Sequence, residues 1–231
     1  MPIPIYNIKN LFISKGNKDI LSVKQFEIHR GACYVFDGRM GSGKTTLLRT
    51  LYDRKIGAKS EIVYEQKDIK KYSKKEYYDQ IAVVPQDFKP PWGTVENFII
   101  KTVRKFSYIK NPEKRLNDIT RKMHLSDLLY RKMKSLSPGE LRWVVLAAMI
   151  GADSKVLFID EIEMHLSKKD LSNLISILHR KINYDGITLV TSTQNKDLIS
   201  RISSVIVTLE NGRIISVRST AKKKQRYYNK K

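Results

Sequence analysis

Eight consecutive residues, Gly38-Arg39-Met40-Gly41-Ser42-Gly43-Lys44-Thr45, fit the pattern G-x-x-x-x-G-K-[ST] of a phosphate-holding loop. Each residue type has a task in that chemistry. Glycines let the backbone curl so that successive N–H groups point at an anion. A helix starting at the loop adds the favourable end of its dipole. Lys44 brings a full charge to the β- and γ-phosphates, and a charge pair at about 4 Å is worth ~4 kcal/mol at an effective dielectric of 20. The Thr45 hydroxyl is the expected Mg²⁺ ligand. Thr46 follows in the same turn. The ligand class is therefore a nucleoside triphosphate with Mg²⁺, and the motif leaves the machine around it open.

A second constellation lies at Val156-Leu157-Phe158-Ile159-Asp160-Glu161, an apolar run ending in two carboxylates. Asp160, at the end of a strand, can hold Mg²⁺ directly or through water. Glu161 is placed to accept a proton from an attacking water, a role typically worth ~10²–10⁴ in rate.

These residues need a scaffold that brings them together. Ala32–Phe36 is a short apolar run, as in a strand covered on both faces. It precedes the phosphate loop, and a helix over about 44–52 follows. Ile20–Ile28 alternates as a half-buried strand. Strands are also expected at 61–64, 81–84, 156–159 and 187–190. Ser73-Lys74-Lys75-Glu76 opens a helix with a capping box. The stretch 94–135 reads as helices divided at Asn111-Pro112 and Ser126-Asp127, and a further helix spans 167–181. Asn211-Gly212 between 205–209 and 213–217 carries the turn signal of a β-hairpin. Strands alternating with helices imply an α/β domain with a mostly parallel sheet. One domain over 1–217 is expected, with the helical stretch 94–135 as an attached lobe.

The chain has 231 residues and a formal net charge of +21, which favours polyanionic surroundings: nucleic acid, ribosomes or an anionic membrane face. Part of that excess is local, because Lys222, Lys223, Lys224, Arg226, Lys230 and Lys231 occur with no acid among them. Residues 218–231 are read as a disordered basic tail. Cys33 is the single cysteine, so no internal disulfide can form, and its apolar neighbours make it a small buried hydrophobe. The start Met1-Pro2-Ile3-Pro4 lacks a basic leader and an apolar core. The longest apolar run, Trp143–Ala152, is about half of the ~20 residues that a spanning helix needs. Work at a membrane would require a separate partner.

Leu136-Ser137-Pro138-Gly139-Glu140, shortly before the acidic strand, resembles the LSGGQ signature of the ATP-binding cassette (ABC) ATPases. Val83-Val84-Pro85-Gln86-Asp87 resembles that family's Q-loop, and Gly93-Thr94-Val95-Glu96-Asn97 its usual continuation. The resemblance runs from about Ile5 to Val217, with the motifs in the family's order. It implies a P-loop NTPase core, a small antiparallel β subdomain and an inserted α-helical subdomain. It also implies that Ser137 and Gly139, at a helix N-terminus, meet the γ-phosphate held by another subunit. Two composite sites in a homo- or heterodimer follow from one phosphate loop and one signature per chain. Gln86 would sense the nucleotide through Mg²⁺ or the attacking water.

The chain departs from the family at three places. Ser192 stands where a histidine usually contacts the γ-phosphate, with Gln194 as a possible substitute. Ser167 replaces an aspartate in the loop after Glu161. Lys15 stands where an aromatic ring commonly stacks on adenine. His165 is read as a loop histidine near the dimer seam. Trp92, after Pro90-Pro91, fits two places, packed in the hinge or docked on a partner.

The resemblance implies an ATPase subunit at the cytoplasmic face of a membrane. It would drive a separate membrane protein, for transport or for cell-division-type signalling, with the basic tail near anionic lipid. The competing readings are a nucleic-acid- or ribosome-associated ATPase and an ATP-binding module with little turnover.

Overall fold

In the computed structural model, residues 3–16, 18–56 and 60–220 are described. Ten strands and six α-helices run through them in the order β1 (Tyr6–Lys15), β2 (Lys18–Ile28), β3 (Cys33–Asp37), α1 (Lys44–Tyr52), β4 (Glu61–Tyr64), β5 (Lys67–Asp68), α2 (Lys74–Tyr78), β6 (Ile81–Val84), α3 (Val95–Val103), α4 (Pro112–Met123), α5 (Pro138–Gly151), β7 (Val156–Ile159), α6 (Lys168–Tyr184), β8 (Thr188–Thr193), β9 (Val205–Glu210) and β10 (Arg213–Ser219). Two sheets form. The larger has the order β10-β9-β3-β8-β7-β6, and the smaller, antiparallel one β2-β1-β4-β5. In the larger sheet β9, β3, β8, β7 and β6 are parallel and only β10 turns back.

Strands β6 and β7 are apolar at every position, as in strands covered on both faces, and β3 is apolar up to Asp37. Cys33 and Val35 of β3, with Leu157 and Ile159 of β7, pack on the side of α3, α4, α5 and α6. Tyr34, Phe36, Val156 and Phe158 face α1 and the small sheet. The C-terminal ends of β3, β7 and β8 thus share one edge, where the phosphate loop, the acidic pair and Ser192 must meet.

Local signals set the helix ends. Asn111 caps α4 through Lys114 N, with Pro112 at its first turn, and α4 stops at the left-handed His124. Ser167, where the family has an aspartate, caps α6 by accepting from Asp170 N at 3.1 Å. The β9–β10 hairpin turns on Asn211 (φ 47°) and Gly212 (φ 73°). Its second strand continues through Ser219, two residues beyond the expected strand end at 217, because pairing with β9 runs to Ser219↔Val205. The rest of the expected tail, 221–231, lies outside the described residues.

Candidate functional site

The phosphate loop leaves β3 and enters α1, and its glycines are required by their geometry. Gly38, Gly41 and Gly43 have φ of 148°, 77° and 103°, in the half of the map that side chains avoid. A Cβ at Gly38 would lie 2.4 Å from the Leu209 carbonyl oxygen and 2.7 Å from Ser42 Oγ. The hairpin turn braces the loop from below: Gly212 N donates to Ser42 O at 3.0 Å, and Gly212 O accepts from Ser22 N at 2.8 Å. Sequence reasoning found Gly212 as a turn residue and missed this second task.

Lys44 is buried, and its Nζ donates to the carbonyls of Gly38 (2.7 Å) and Arg39 (3.0 Å). The ammonium therefore sits inside the curl. Ser42 Oγ is buried beside it with no hydrogen-bond partner. Arg39 and Met40 form the exposed tip, with Met40 87% exposed. Thr46 is half-buried in the first turn of α1.

The acidic pair closes the other side of this edge. Thr45 Oγ1 donates to Asp160 Oδ1 at 3.2 Å, and Ser192 Oγ donates to the same oxygen at 2.5 Å. The Ser192 oxygen in turn accepts from Glu161 N at 2.7 Å. Ser192 is fully buried, with both capacities of its hydroxyl used within the chain. It holds the acidic pair, whereas the family's histidine place led to the expectation of a phosphate contact. The side chain that touches Glu161 is Gln194, whose Nε2 donates to Glu161 Oε1 at 3.1 Å. Glu163 fixes this segment by accepting from Thr193 Oγ1 (2.8 Å) and Gln194 N (2.9 Å). Glu161 itself has φ 47°, a left-handed turn that aims its carboxylate away from the strand line.

Gln86 is apart from the Thr45–Asp160–Ser192 cluster. It lines a cleft of about 230 Å³ together with Leu136, Pro138, Arg142 and His165. The signature turn forms one wall. Ser137 Oγ accepts from Glu140 N at 3.3 Å and Ser137 N donates to Glu140 Oε2 at 2.8 Å, a complete capping box. The Ser137 N–H, with help from Arg131, holds the Glu140 carboxyl below the usual range. A Cβ at Gly139 would lie 2.9 Å from the His165 carbonyl, so this helix start and the loop after Glu161 are in close contact. Among the described residues, no hydrogen bond joins Ser137 or Gly139 to the phosphate loop of the same chain. Trp92 is 84% exposed, with Lys134 Nζ 3.4 Å above its ring, so it lies on the surface and not packed in the hinge. Lys15 is exposed at the end of β1.

Arg142 was missed in the sequence, where it reads as one cation on an otherwise apolar helix. Its Nη1 donates to Pro85 O (2.6 Å), and its Nη2 donates to Asp160 O (2.6 Å) and Glu161 O (3.1 Å).

This geometry has counterparts. The ABC transporter family model matches residues 21–163, more than half of the chain. The chain belongs to the ABC transporter family. This ABC subunit is 28% identical over 232 residues to the phosphonates import ATP-binding protein PhnC of Fusobacterium nucleatum, covering 94% of the chain and 93% of that protein. It is 25% identical to the methionine import ATP-binding protein MetN of Clostridioides difficile, covering 93% of the chain and 68% of MetN. Among solved structures, an ATP-binding subunit of an ABC transporter superposes with a TM-score of 0.84 at 18% identity, covering 97% of this chain and 93% of that one. A dimeric cassette in a post-hydrolysis state, bound to ADP and Pi, gives 0.79 at 19% identity, covering 93% of this chain and 98% of that one. At those identities the structures bear on the fold. Both the P-loop NTPase core and the antiparallel subdomain agree with them.

Proposed function

We propose that this chain is the ATP-binding and ATP-hydrolysing subunit of an ABC complex, dimerising on nucleotide to drive a separate membrane protein. The observation that carries the reading is the 3.2 Å contact between Thr45 and Asp160, which joins the phosphate loop to the acidic strand across β8. A hydroxyl and a carboxylate converging beside a buried lysine are the oxygen donors that a small hard cation takes. The residues fit ATP as well: the loop N–H groups, Lys44 and the unpartnered Ser42 hydroxyl all belong to one cradle. Thr45 and Asp160 would hold Mg²⁺, with Gln86 reaching in from its cleft. Bound there, the ion neutralises charge on the phosphates.

The chain's own residues divide the remaining work. Glu161 accepts the proton of the attacking water. Gln194 orients the Glu161 carboxylate, and Ser192 fixes the backbone that carries it. Ser137 and Gly139 cap the nucleotide of the neighbouring subunit. Support for two copies comes from the signature helix, whose N-terminus meets no phosphate loop within the chain.

A membrane partner is supported by the import relatives and by a groove of about 820 Å³ away from the nucleotide edge. Tyr52, Tyr78 and Phe106 line it, and Lys74, Lys75 and Lys105 surround them. No helix among the described residues is long and apolar enough to cross a membrane. A place at the cytoplasmic face agrees with such a division of labour.

Two experiments test the reading. ATP-dependent phosphate release by the purified chain is expected, and its absence at saturating ATP and Mg²⁺ would favour a binding module with little turnover. Purification from detergent extract is expected to bring an integral membrane protein with it. Recovery of nucleic acid or ribosomes in its place would overturn the partner assignment.

A further inference from the structure

Arg142 sits on α5 just after the signature turn and is only 5% exposed, although it carries a guanidinium. Burial pushes that guanidinium down to about 10, against the pull of the Asp160, Glu161 and Glu163 carboxylates. A buried cation is a costly filler, since an apolar side chain of similar volume often serves a core as well or better. Its Nε–H is buried without a partner, which adds to that cost. The compensating feature is what the fork holds. Its two Nη groups grip three carbonyls, Pro85, Asp160 and Glu161. Pro85 is the residue before Gln86, and the other two are the acidic pair. Glu161 needs such a grip, because a residue with a Cβ is strained in its left-handed backbone.

Resting on the proposed hydrolysis by Glu161, we propose that Arg142 is a positioning residue that carries the position of the signature helix to Glu161 and Gln86. The signature turn and the acidic pair belong to different nucleotide sites of a dimer. One nucleotide is held by this chain's loop and the other is capped by its Ser137. A rigid guanidinium fixed to α5 and hydrogen-bonded to both loops moves them with the helix. When the neighbour's nucleotide seats on Ser137, the Glu161 carboxylate and the Gln86 backbone are set in the same motion. Gln86 and Arg142 also line one cleft.

The test uses the full chain with Arg142→Lys and Arg142→Gln, measuring fluorescent-ATP affinity, kcat and KM. Lysine keeps the charge and loses the fork, and glutamine keeps a donor and loses the charge. Both variants are expected to bind ATP as the parent does, with KM unchanged and kcat down by about 10²-fold, the size of a 1 Å misplacement of a reacting group. Retained kcat, or a loss that follows ATP affinity, would overturn the proposal. Amide exchange on the parent chain gives a second reading that needs no variant to fold. ATP is expected to change exchange at 139–142 and at 160–163 together, over the same nucleotide range. A change confined to one segment would overturn the coupling. A parent chain that releases no phosphate would instead refute the hydrolysis reading, and the exchange result would still decide the coupling.

Discussion

The phosphate loop and the signature turn, two helix starts in one chain, are finished to different degrees. At the loop, several polar groups find partners inside the chain, Lys44 on its own carbonyls, Thr45 and Ser192 on Asp160 and Glu161 N on Ser192, while the Ser42 hydroxyl is buried without one. At the signature, Ser137 and Glu140 satisfy one another, Arg131 pairs with Glu140 and the His165 carbonyl lies against Gly139, but among the described residues no hydrogen bond joins this helix start to the phosphate loop. The exposed Met40 at the loop tip and the exposed Trp92 near the signature mark two open surfaces. The contrast agrees with the proposed dimer, in which the signature turn of each chain would complete the nucleotide site of its neighbour.

Substitutions at the two helix starts should therefore fail in different ways. Lys44→Ala is expected to have the largest effect, weakening ATP by roughly a thousandfold, since ~4 kcal/mol is lost at about 1.4 kcal/mol per decade. Fluorescent-ATP titration checks it, and unchanged affinity would remove the loop from the site. Gly38→Ala should also lose ATP and lower the melting temperature, because the new Cβ meets the Leu209 carbonyl at 2.4 Å. Gly139→Ala, which meets His165 O at 2.9 Å, should keep ATP affinity and lose nucleotide-driven assembly. If the two glycine variants behaved alike, the comparison would fail.

Smaller effects sharpen it. Ser192→Ala orphans the buried Glu161 N–H and is expected to cost about 1–3 kcal/mol, seen as a lower melting temperature and slower turnover with ATP affinity kept. Ser137→Ala removes a helix cap and should cost about 1 kcal/mol, with weaker assembly as its main sign. The pH dependence of the same turn has a definite sign. The Glu140 carboxyl is held below its ordinary value, so its share of the capping box is complete at neutral pH. That share fades as pH falls through the ordinary glutamate range and below. An acid titration of assembly should show this limb in the parent and in Ser137→Ala, which keeps the Ser137 N–H, and lose it in Glu140→Gln.

Much of this arrangement was legible in the sequence because it rests on short spacings. The Gly-x-x-x-x-Gly-Lys-Thr loop, the apolar strand ending in Asp160-Glu161 and the Asn211-Gly212 turn each carry their own physical signature. Strand β1 was not legible, since the left-handed Asn10 breaks the period of two: Tyr6 and Ile8 are buried, and then Leu11. Arg142 was hidden for another reason. A lone cation on an apolar helix reads as solvated, and only the fold shows three carbonyls converging on it. The resemblance points Ser192 or Gln194 to the γ-phosphate, and the fold adds that the Ser192 side chain turns inward to Asp160 while Gln194 reaches Glu161.

The measurement that bears most directly on the two half-sites is light scattering of Glu161→Gln with and without ATP. With the proton acceptor removed and the carbonyl contact to Arg142 retained, ATP should bind, stay intact and hold two chains together. A monomer is expected without nucleotide and a dimer with ATP, reversed when Gly139→Ala is added. A chain that binds ATP yet stays monomeric at every concentration would contradict it.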